Sequence, residues 1–433
     1  MALDHQEVEL LAIGAGPSTL AFAVAIEELA PVELATTTLV IEQHENVAWQ
    51  RGMLLPWAQS QVSFLKDLVT LRNPRSQFSF VNYLHSIGRL DDFVNMAHFL
   101  PYRLEVSNYL TWVAQSLTSV RVEYGRRSVA IDARRAADGT VSSWLVRLAD
   151  GSTIGARGLV VGVGRDAHIP EVFAGLPRER VIHSSQYAVR AAELDRTVPQ
   201  RVAVVGAAQS AAEMLWETHQ RMPLAECTMV MRCVGLNYYQ TSKFTNELYF
   251  PSFTDEFFAA NAEGRRQVLQ EMRRTNYAGV TPDMLETIYR QMYLERLSGT
   301  QRLRMATMVD ITGAAMDGDD VVLTLTDRMT GLVDRQRFDV VLLGTGFEKR
   351  PSGMVRAIAD DIGVEEIACD RAYRMITPPS VTASCYLQGT NEDSHGIADS
   401  LMSVLAVRAG EIVNDVLAHR QAPSLLASVA GSA

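Results

Sequence analysis

The chain has 433 residues, of which 47% are hydrophobic and 21% are charged, with fifty acidic against forty basic residues. This composition is typical of a globular protein with a large core and excludes a disordered, collagen-like or coiled-coil chain. The net charge of −10 disfavours binding to nucleic acid or to an anionic membrane. The cysteines show no CxxC spacing, which predicts free thiols in a reducing compartment: Cys227, Cys233, Cys369 and Cys385.

Residues 10–26 carry no charge and approach the length of a membrane-spanning helix. They contain Gly14, Gly16 and Pro17, which would interrupt one spanning helix but suit a strand, a tight turn and a helix. The acidic residues 4–9 lack the basic region of a signal peptide. We therefore expect a cytoplasmic protein without a membrane segment.

A strand pattern over residues 7–13 is followed by a glycine-rich turn at Gly14 and by a helix pattern. A second strand pattern, residues 37–41, ends at Glu42, and the whole has the length of a dinucleotide-binding βαβ unit. In such a unit Gly14 permits the turn, Gly16 lets the backbone approach a pyrophosphate, and Glu42 accepts hydrogen bonds from ribose hydroxyls. The segment therefore predicts a nucleotide site.

A second unit of this kind begins with a strand pattern at residues 202–205, followed by Gly206 and a helix that contains Ser210. Ala208 stands where a second glycine would allow the closest approach of a ligand. Taken alone, this unit fits a nucleotide turn and any other strand–helix unit equally well. Two such turns in one chain are what an enzyme that binds both a flavin and a nicotinamide needs.

Strand patterns at residues 158–161 and 340–343, each followed by a glycine-containing turn, predict two strands that return the chain to the first sheet. Residues 254–297 change to an amphipathic helical pattern. We predict an α/β fold with two Rossmann-like dinucleotide-binding domains, one for a flavin and one for a nicotinamide, and an added mainly helical region. The predicted divisions are residues 1–195 for the first part of the flavin domain, 196–335 for the nicotinamide domain with a helical insertion at about 254–298, and 336–433 for the return to the flavin domain.

The chain also carries longer motifs, in this order: GAGPSTL from residue 14, FLKDLVTLRNPRS over 64–76, FVNYLH over 80–85, HSS over 183–185, QSAAE over 209–213, TNY over 275–277, GTGF over 344–347, NE at 391–392 and HGIADSLMS over 395–403. In these motifs the chain resembles the flavin-dependent N-hydroxylating monooxygenases, the L-ornithine and L-lysine side-chain hydroxylases of siderophore biosynthesis. The resemblance spans nearly the whole chain. It departs from the family pattern at Ala208, Lys243, Gly344 and Phe347.

The resemblance implies FAD and NADPH as cofactors and L-ornithine and molecular oxygen as substrates. NADPH would reduce FAD, oxygen would add to the reduced flavin, and the resulting hydroperoxide would give one oxygen atom to the unprotonated side-chain amine. The protein would contribute positioning and a water-poor pocket, and the chain has no GxSxG or HExxH motif that would indicate a hydrolase. The family also implies a homodimer or homotetramer.

The resemblance implies which residues meet the substrate. Lys66 would bind its carboxylate, Asn246 and Asn276 would lie near the substrate and the nicotinamide, and Ser403 would help to hold the carboxylate from a C-terminal segment that covers the flavin. Gln61 would lie at the flavin and its oxygenation site. The alternatives are a surface lysine for Lys66, a polar loop residue for Gln61, a helix N-cap for Asn246 and a core position for Ser403.

Gln61, Lys66 and Asn276 form the predicted catalytic set. Arg232, after the strand that follows the second turn, would bind the ribose phosphate of NADPH, with a solvated arginine as the alternative. His395 has no second ligand at metal-binding spacing, so we predict no metal site. Cofactor contacts are predicted for Gly14, Gly16, Pro17, Ser18, Glu42, Trp49, Gln61, Gly206, Gln209, Ser210, Arg232, Asn276, Tyr277, Ser400, Leu401 and Met402.

L-Lysine is the alternative substrate, because it differs from L-ornithine by one methylene, worth only about 1–3 kcal/mol in an apolar pocket. The FLKDL context and residues 275–277 favour ornithine. A flavin disulfide reductase would require a CxxC or CxxxxC pair near the first turn, and none is present. The alternative from a different functional class is a redox-sensing flavoprotein that binds its cofactors but catalyses no reaction.

Overall fold

The computed structural model describes residues 5–238, 242–277 and 279–427, with the side chains of 274–276 and 421–427 outside that description. Alternating strands and helices form an α/β fold with mixed sheets. The described strands are β1 (His5–Ile13), β2 (Thr38–Ile41), β3 (Arg121–Glu123), β4 (Ser128–Arg135), β5 (Val141–Leu148), β6 (Thr153–Val161), β7 (Val181–His183), β8 (Arg201–Val205), β9 (Glu226–Val230), β10 (Asn237–Tyr238), β11 (Gly279–Val280), β12 (Leu303–Ala306), β13 (Val309–Asp317), β14 (Asp320–Asp327), β15 (Val333–Phe338), β16 (Val340–Leu343) and β17 (Ser384–Leu387).

The helices surround these strands. They are α1 (Pro17–Leu29), α2 (Val32–Thr36), α3 (Phe80–Ser86), α4 (Leu90–Asn95), α5 (Arg103–Ser116), α6 (Tyr187–Arg190), α7 (Gln209–Arg221), α8 (Lys243–Asn246), α9 (Ser252–Ala259), α10 (Ala262–Asn276), α11 (Pro282–Ser298), α12 (Gly353–Asp361), α13 (Glu392–His395) and α14 (Leu405–Ala427). Within the described residues, no helix is both long and apolar enough to cross a membrane.

The first sheet has seven strands in the order β3-β2-β1-β6-β5-β4, with β17 also paired to β6. Strands β1, β2, β6 and β17 are parallel to one another, while β5 runs antiparallel to β6. The centre of β1 is buried on both faces, as its continuous apolar pattern predicts. Helix α1 packs between this sheet and α14 and is buried from Thr19 to Ile26. The predicted strands over 37–41 and 158–161 are confirmed by β2 and β6.

The second sheet has five parallel strands in the order β12-β9-β8-β16-β7. The prediction that residues 340–343 return to the first sheet is therefore wrong, because β16 pairs with β8 and β7, with Val340 opposite Val202. Four consecutive buried apolar residues suit the centre of either parallel sheet. The chain returns to the first sheet later, at β17. The second sheet thus takes its edge strand β7 and its inner strand β16 from outside the predicted limits 196–335.

Helices α9, α10 and α11 confirm the helical pattern over residues 254–297, with the short strand β11 between the last two. An antiparallel sheet, β13-β14-β15, follows them and packs beside the second sheet. In both large sheets a central parallel strand is followed by a glycine turn, at Gly14 after β1 and at Gly206 after β8. The carboxyl edge of a parallel sheet is where such folds bind ligands. These two sheet edges are therefore the candidate ligand-binding sites of the fold.

Candidate active site

The turn after β1 requires glycine at its first position. Gly14 has φ +89°, and a Cβ there would lie 2.9 Å from the carbonyl oxygen of Gly162. Gly16 has an extended backbone, and a Cβ added to it would meet no protein atom within 4 Å. Helix α1 begins at Pro17 and has no acidic residue in its first turn. The free N–H groups of this helix terminus can therefore bind an anionic group that approaches across Gly16.

Glu42 and Thr19 complete the first turn. The Glu42 carboxylate accepts hydrogen bonds from the backbone N–H groups of Ala15, at 2.8 Å, and His44, at 3.0 Å. Thr19 occupies the helix position at which nucleotide motifs carry a third glycine or alanine, and a Cβ on Gly162 would lie 2.2 Å from its Oγ1. Gly162, which directly follows β6, therefore provides the space that lets α1 pack closely on the first sheet.

The second turn packs even more tightly. Gly206 has φ +134°, and a Cβ there would lie 2.5 Å from the carbonyl oxygen of Gly344. A Cβ on Gly344 would in turn lie 2.5 Å from the Cβ of Ala211, in the first turn of α7. The departure from the family pattern at Gly344 therefore has a steric reason. Ala208 has an extended backbone, φ −105° and ψ −179°, which any residue adopts, so its methyl group strains nothing.

The predicted nicotinamide residues lie at the same edge of the second sheet. Gln209 and Ser210 form the start of α7, and the Gln209 side chain donates to Glu213 and accepts from the Thr281 N–H, both at 2.9 Å. Gln209 thereby connects α7 to the start of α11. Arg232 follows β9, the neighbour of β8, and its side chain is exposed.

Lys66 is half-buried in the segment between the 3₁₀ turn Arg51–Met53 and α3, with its Nζ 4.3 Å from the centroid of the Phe250 ring. No carboxylate of the described residues forms an ion pair with this ammonium. Burial lowers the pKa of Lys66 below its ordinary value. The side chain is therefore a partly dehydrated cation without an anionic partner in this part of the chain.

Asp67, beside Lys66, directs its carboxylate into its own loop. It is buried and accepts hydrogen bonds from the N–H groups of Val69, Thr70 and Phe80 and from the Thr70 hydroxyl, at 2.7–3.0 Å. Burial raises the pKa of Asp67, although these hydrogen bonds act in the opposite direction. These hydrogen bonds fix the loop over residues 67–80 and occupy the Asp67 carboxylate, which forms no ion pair with Lys66.

Lys66 and Met402 line one small cavity together with the aromatic side chains of Phe64, Phe80 and Tyr109. Met402 belongs to the 3₁₀ turn Met402–Val404, which also contains the buried Ser403. The C-terminal segment is thus brought against the Lys66 segment. The predominantly apolar lining makes this a water-poor environment.

Three predicted polar residues have different surroundings. The Nε2 of Gln61 is buried and has no hydrogen-bond partner among the described residues. Asn246 ends α8, is half-buried, and makes no side-chain capping bond to the turn that follows, so the alternative of a helix N-cap is not observed. Asn276 ends α10, and its side chain lies outside the described residues.

Tyr277 connects three distant parts of the chain. Its hydroxyl donates to the Glu392 carboxylate at 2.9 Å and lies 3.1 Å from the Ser400 Oγ. Arg165, in the turn after β6, forms a 2.9 Å ion pair with the same carboxylate. Burial, with the nearby Glu392 charge, raises the pKa of Tyr277. Sequence reasoning missed Arg165 and assigned no role to Glu392, although Glu392 lies in a quoted motif.

A second missed element is a buried ion pair in the C-terminal segment. Arg408 and Asp399 are both almost completely buried, with 2.8 Å between Nη1 and Oδ1. Arg408 also donates to the Oγ of Ser18, at the start of α1, over 3.0 Å. A charged residue within the apolar start of α14 was the available signal.

Buried polar atoms lie unpaired at the carboxyl edge of the first sheet. Both side-chain amide atoms of Gln388 and the Oγ1 of Thr390 have no hydrogen-bond partner among the described residues. The Gln388 N–H bonds to the carbonyl oxygen of Val161 at the end of β6, which places this segment beside the Gly14 turn. Such groups are costly to leave unpaired. They fit a polar ligand, such as a dinucleotide, at this edge.

Two other predicted cofactor residues contact apolar clusters of the fold. The Trp49 side chain packs against the core that contains α1, and the Trp49 backbone N–H donates to the Oγ of Ser107 at 3.0 Å. Leu401 packs in a small cluster with Tyr249 and Ile397. Across the described residues, no group of three or more histidine, cysteine and acidic side chains could hold a metal ion.

A family profile described as L-lysine 6-monooxygenase/L-ornithine 5-monooxygenase matches residues 6–349. The chain belongs to this family. It is 39% identical to an L-ornithine N(5)-monooxygenase from Burkholderia cepacia, over 90% of this chain and 89% of that protein. It is 38% identical to an L-ornithine N(5)-oxygenase from Arthrobotrys oligospora, over 94% of this chain and 88% of that protein.

Solved structures of the family have the same fold. The ornithine hydroxylase PvdA from Pseudomonas aeruginosa superposes with a TM-score of 0.89 at 35% identity, covering 96% of this chain and 100% of that chain. The ornithine N-hydroxylase KtzI from Kutzneria sp. 744, in a complex with reduced FAD, NADP⁺ and L-ornithine, gives the same TM-score at 32% identity, covering 96% and 100%. The L-lysine 6-monooxygenase from Pseudomonas syringae gives 0.82 at 29% identity, covering 95% and 99%.

Proposed function

We propose that this family member is an FAD- and NADPH-dependent monooxygenase that hydroxylates the side-chain amine of L-ornithine. The observation that carries the proposal is the half-buried Lys66, whose ammonium has no anionic partner among the described residues. A site of this kind suits the carboxylate of a small amino acid. The product would be a precursor of a hydroxamate siderophore or a related natural product.

The parallel strands of the first and second sheets are the basis for proposing two Rossmann-like domains, with FAD on the first. The N-terminus of α1 would bind the FAD pyrophosphate across Gly16, while Glu42 would accept from the ribose. Gln388 and Thr390 would supply hydrogen bonds that their buried polar atoms do not make within the described chain. Bound FAD, once reduced by NADPH, supplies the activation of molecular oxygen.

NADPH would bind at the carboxyl edge of the second sheet. The turn at Gly206 and the N-terminus of α7, including Ser210, would hold its pyrophosphate. Arg232 would reach the ribose phosphate, since its exposed side chain follows the strand next to β8. Ala208 adds a methyl group at the position that corresponds to Gly16, which restricts how closely the pyrophosphate approaches.

The substrate would lie between the Lys66 segment and the C-terminal segment. Lys66 would donate to its carboxylate, while Asn246, Asn276 and Ser403 would offer polar contacts without adding charge. Gln61 would lie at the oxygenation end, where its Nε2 is free to donate. The apolar side chains beside Lys66, including Met402, would limit the access of water to the bound substrate.

L-Ornithine is proposed over L-lysine because the curated relatives of highest identity quoted above are ornithine enzymes. We also propose the cytoplasm as the compartment, in keeping with four cysteines that are all free thiols. A homodimer or homotetramer is proposed from the family resemblance.

The test is a product assay with the purified, FAD-loaded protein, NADPH and air, with L-ornithine and L-lysine in parallel. We expect a product one oxygen atom heavier than ornithine and much less product from lysine. A higher kcat/KM for lysine would reverse the choice of substrate. A stably bound flavin with no hydroxylated product from either amino acid would instead support the redox sensor.

A further inference from the structure

Phe250 and Lys66 belong to segments far apart in the chain and meet through a ring and an ammonium. The Lys66 Nζ lies 4.3 Å from the ring centroid, within the range of a cation–π contact. Phe250 directly follows the 3₁₀ turn Glu247–Tyr249, which itself directly follows Asn246. The ring therefore connects Lys66 to the segment that directly follows α8.

We propose that Phe250 is a positioning residue for the substrate carboxylate: its ring holds the Lys66 ammonium in place and fixes it relative to Asn246. This inference rests on the function proposed above, because it assumes that Lys66 binds the carboxylate of L-ornithine. Neither the family motifs quoted for the chain nor its predicted site residues include Phe250.

An aromatic ring suits this task because it holds a cation without neutralising it. Other buried cations of the described chain are paired with carboxylates: Arg165 with Glu392 and Arg408 with Asp399. A carboxylate beside Lys66 would compete with the substrate carboxylate for the same ammonium. A ring face occupies one side of the ammonium and leaves its remaining N–H groups free to donate.

The neighbouring carboxylate offers no substitute for the ring. Asp67 is saturated by hydrogen bonds from its own loop, including the N–H groups of Val69 and Phe80. Without Phe250, the four-carbon side chain of Lys66 would gain rotamer freedom, which the substrate would have to remove on binding. The effect should therefore fall on substrate affinity and not on the flavin.

The variants Phe250→Leu and Phe250→Tyr distinguish the effect of the aromatic ring face on the ornithine KM from the effect of apolar volume alone. We expect Phe250→Leu to raise the ornithine KM about three- to thirtyfold, with kcat at saturating ornithine and the rate of flavin reduction by NADPH within about twofold of wild type. Phe250→Tyr keeps the ring face and should stay within about threefold. Tyr293→Leu, at an exposed aromatic residue of α11, is the matched control and should leave every parameter unchanged.

A double-mutant cycle with Lys66→Ala decides whether the ring acts through the ammonium. Adding Phe250→Leu to Lys66→Ala should change the ornithine KM by less than about twofold. An unchanged KM in Phe250→Leu alone, an undiminished second effect in the double variant, or a parallel loss of FAD content and flavin reduction would each overturn the inference. A wild-type enzyme that makes no hydroxyornithine would refute the proposed function itself, whereas an active wild type with an unaffected Phe250→Leu variant would refute only the role of Phe250.

Discussion

Arg408 donates a hydrogen bond from its Nη2 to the Oγ of Ser18 over 3.0 Å, which connects the last helix of the described chain to the first nucleotide-type turn. The same guanidinium forms a completely buried ion pair with Asp399. The C-terminal segment and the N-terminus of α1 therefore share one buried polar network. Its integrity should affect both the stability of the fold and the turn to which we assign FAD.

Replacing Arg408 by methionine should lower the free energy of unfolding by about 3–5 kcal/mol, because it leaves the Asp399 carboxylate buried without its partner. FAD content should fall in parallel, since Ser18 loses its hydrogen bond. Thermal unfolding and the flavin absorbance of the purified protein measure the two effects. Arg290→Met, at an exposed arginine paired only within α11, should change neither. A stable variant with full flavin content would contradict this role of the buried pair.

The sequence was sufficient for features that depend on local pattern. The strand, turn and helix around Gly14 and the helical stretch that contains α9 to α11 follow from hydrophobic periodicity and from glycine position. The sheet to which β16 belongs was predicted wrongly. Sheet membership is decided by pairing with distant strands, and a short apolar strand carries no information about its partner.

The residues of the candidate site also fall into two groups, those that the sequence could indicate and those that it could not. Lys66 could be named because it lies in the motif over residues 64–76, and Asn246 because the resemblance to the family implies its position near the substrate. The contact of Lys66 with Phe250, the ion pair of Arg165 with Glu392 and the contact of Arg408 with Ser18 could not be named. Each of these contacts joins residues that are remote in sequence, so only the folded chain brings them together.

The variant Lys66→Ala should raise the ornithine KM at least tenfold while NADPH still reduces the flavin at a near-normal rate. A charge-assisted contact contributes about 1.5–3 kcal/mol, which corresponds to about ten- to a hundredfold in binding. Steady-state kinetics with ornithine and stopped-flow reduction without it measure the two effects. Lys349→Ala, at an exposed lysine, is the control. If KM did not change, Lys66 would have no place in the substrate site.

The variant Arg232→Ala should weaken NADPH much more than NADH, because only NADPH carries the ribose phosphate that a guanidinium can bind in a bidentate manner. FAD content and ornithine affinity should hardly change, since the Gly14 turn and Lys66 lie at the other sheet. KM values for both nicotinamides give the answer, with Arg335→Ala on exposed β15 as the control. Equal weakening of both would assign Arg232 to the shared pyrophosphate, and no weakening would return it to the solvated surface.

The pH dependence should have two opposing parts. The reacting amine must be neutral, and a free ammonium of this kind has a pKa near 10, so the oxygenation rate should rise from about pH 6 to 9. Burial lowers the pKa of Lys66, so its positive charge is present at low pH and is lost at a lower pH than for an exposed lysine. The ornithine KM should therefore rise toward alkaline pH, while flavin reduction by NADPH follows neither trend. Stopped-flow rates and KM values over this range test both parts, and an oxygenation rate independent of pH would contradict the first.

The variant Gly344→Ala should destabilise this protein. The added Cβ would lie 2.5 Å from the Cβ and 2.8 Å from the Cα of Ala211, and neither atom belongs to a flexible side-chain end. We expect a loss of about 1–3 kcal/mol in the free energy of unfolding, as for overpacking elsewhere, together with weaker NADPH binding because α7 must shift at its N-terminus. The double variant Gly344→Ala/Ala211→Gly removes one of the two clashing methyl groups and should recover part of both losses, as measured by denaturant unfolding and NADPH titration. If the single variant were as stable as the wild type, the turn after β16 would accommodate the added methyl group. The close packing of Gly344 on α7 would then not explain why a glycine stands at this position.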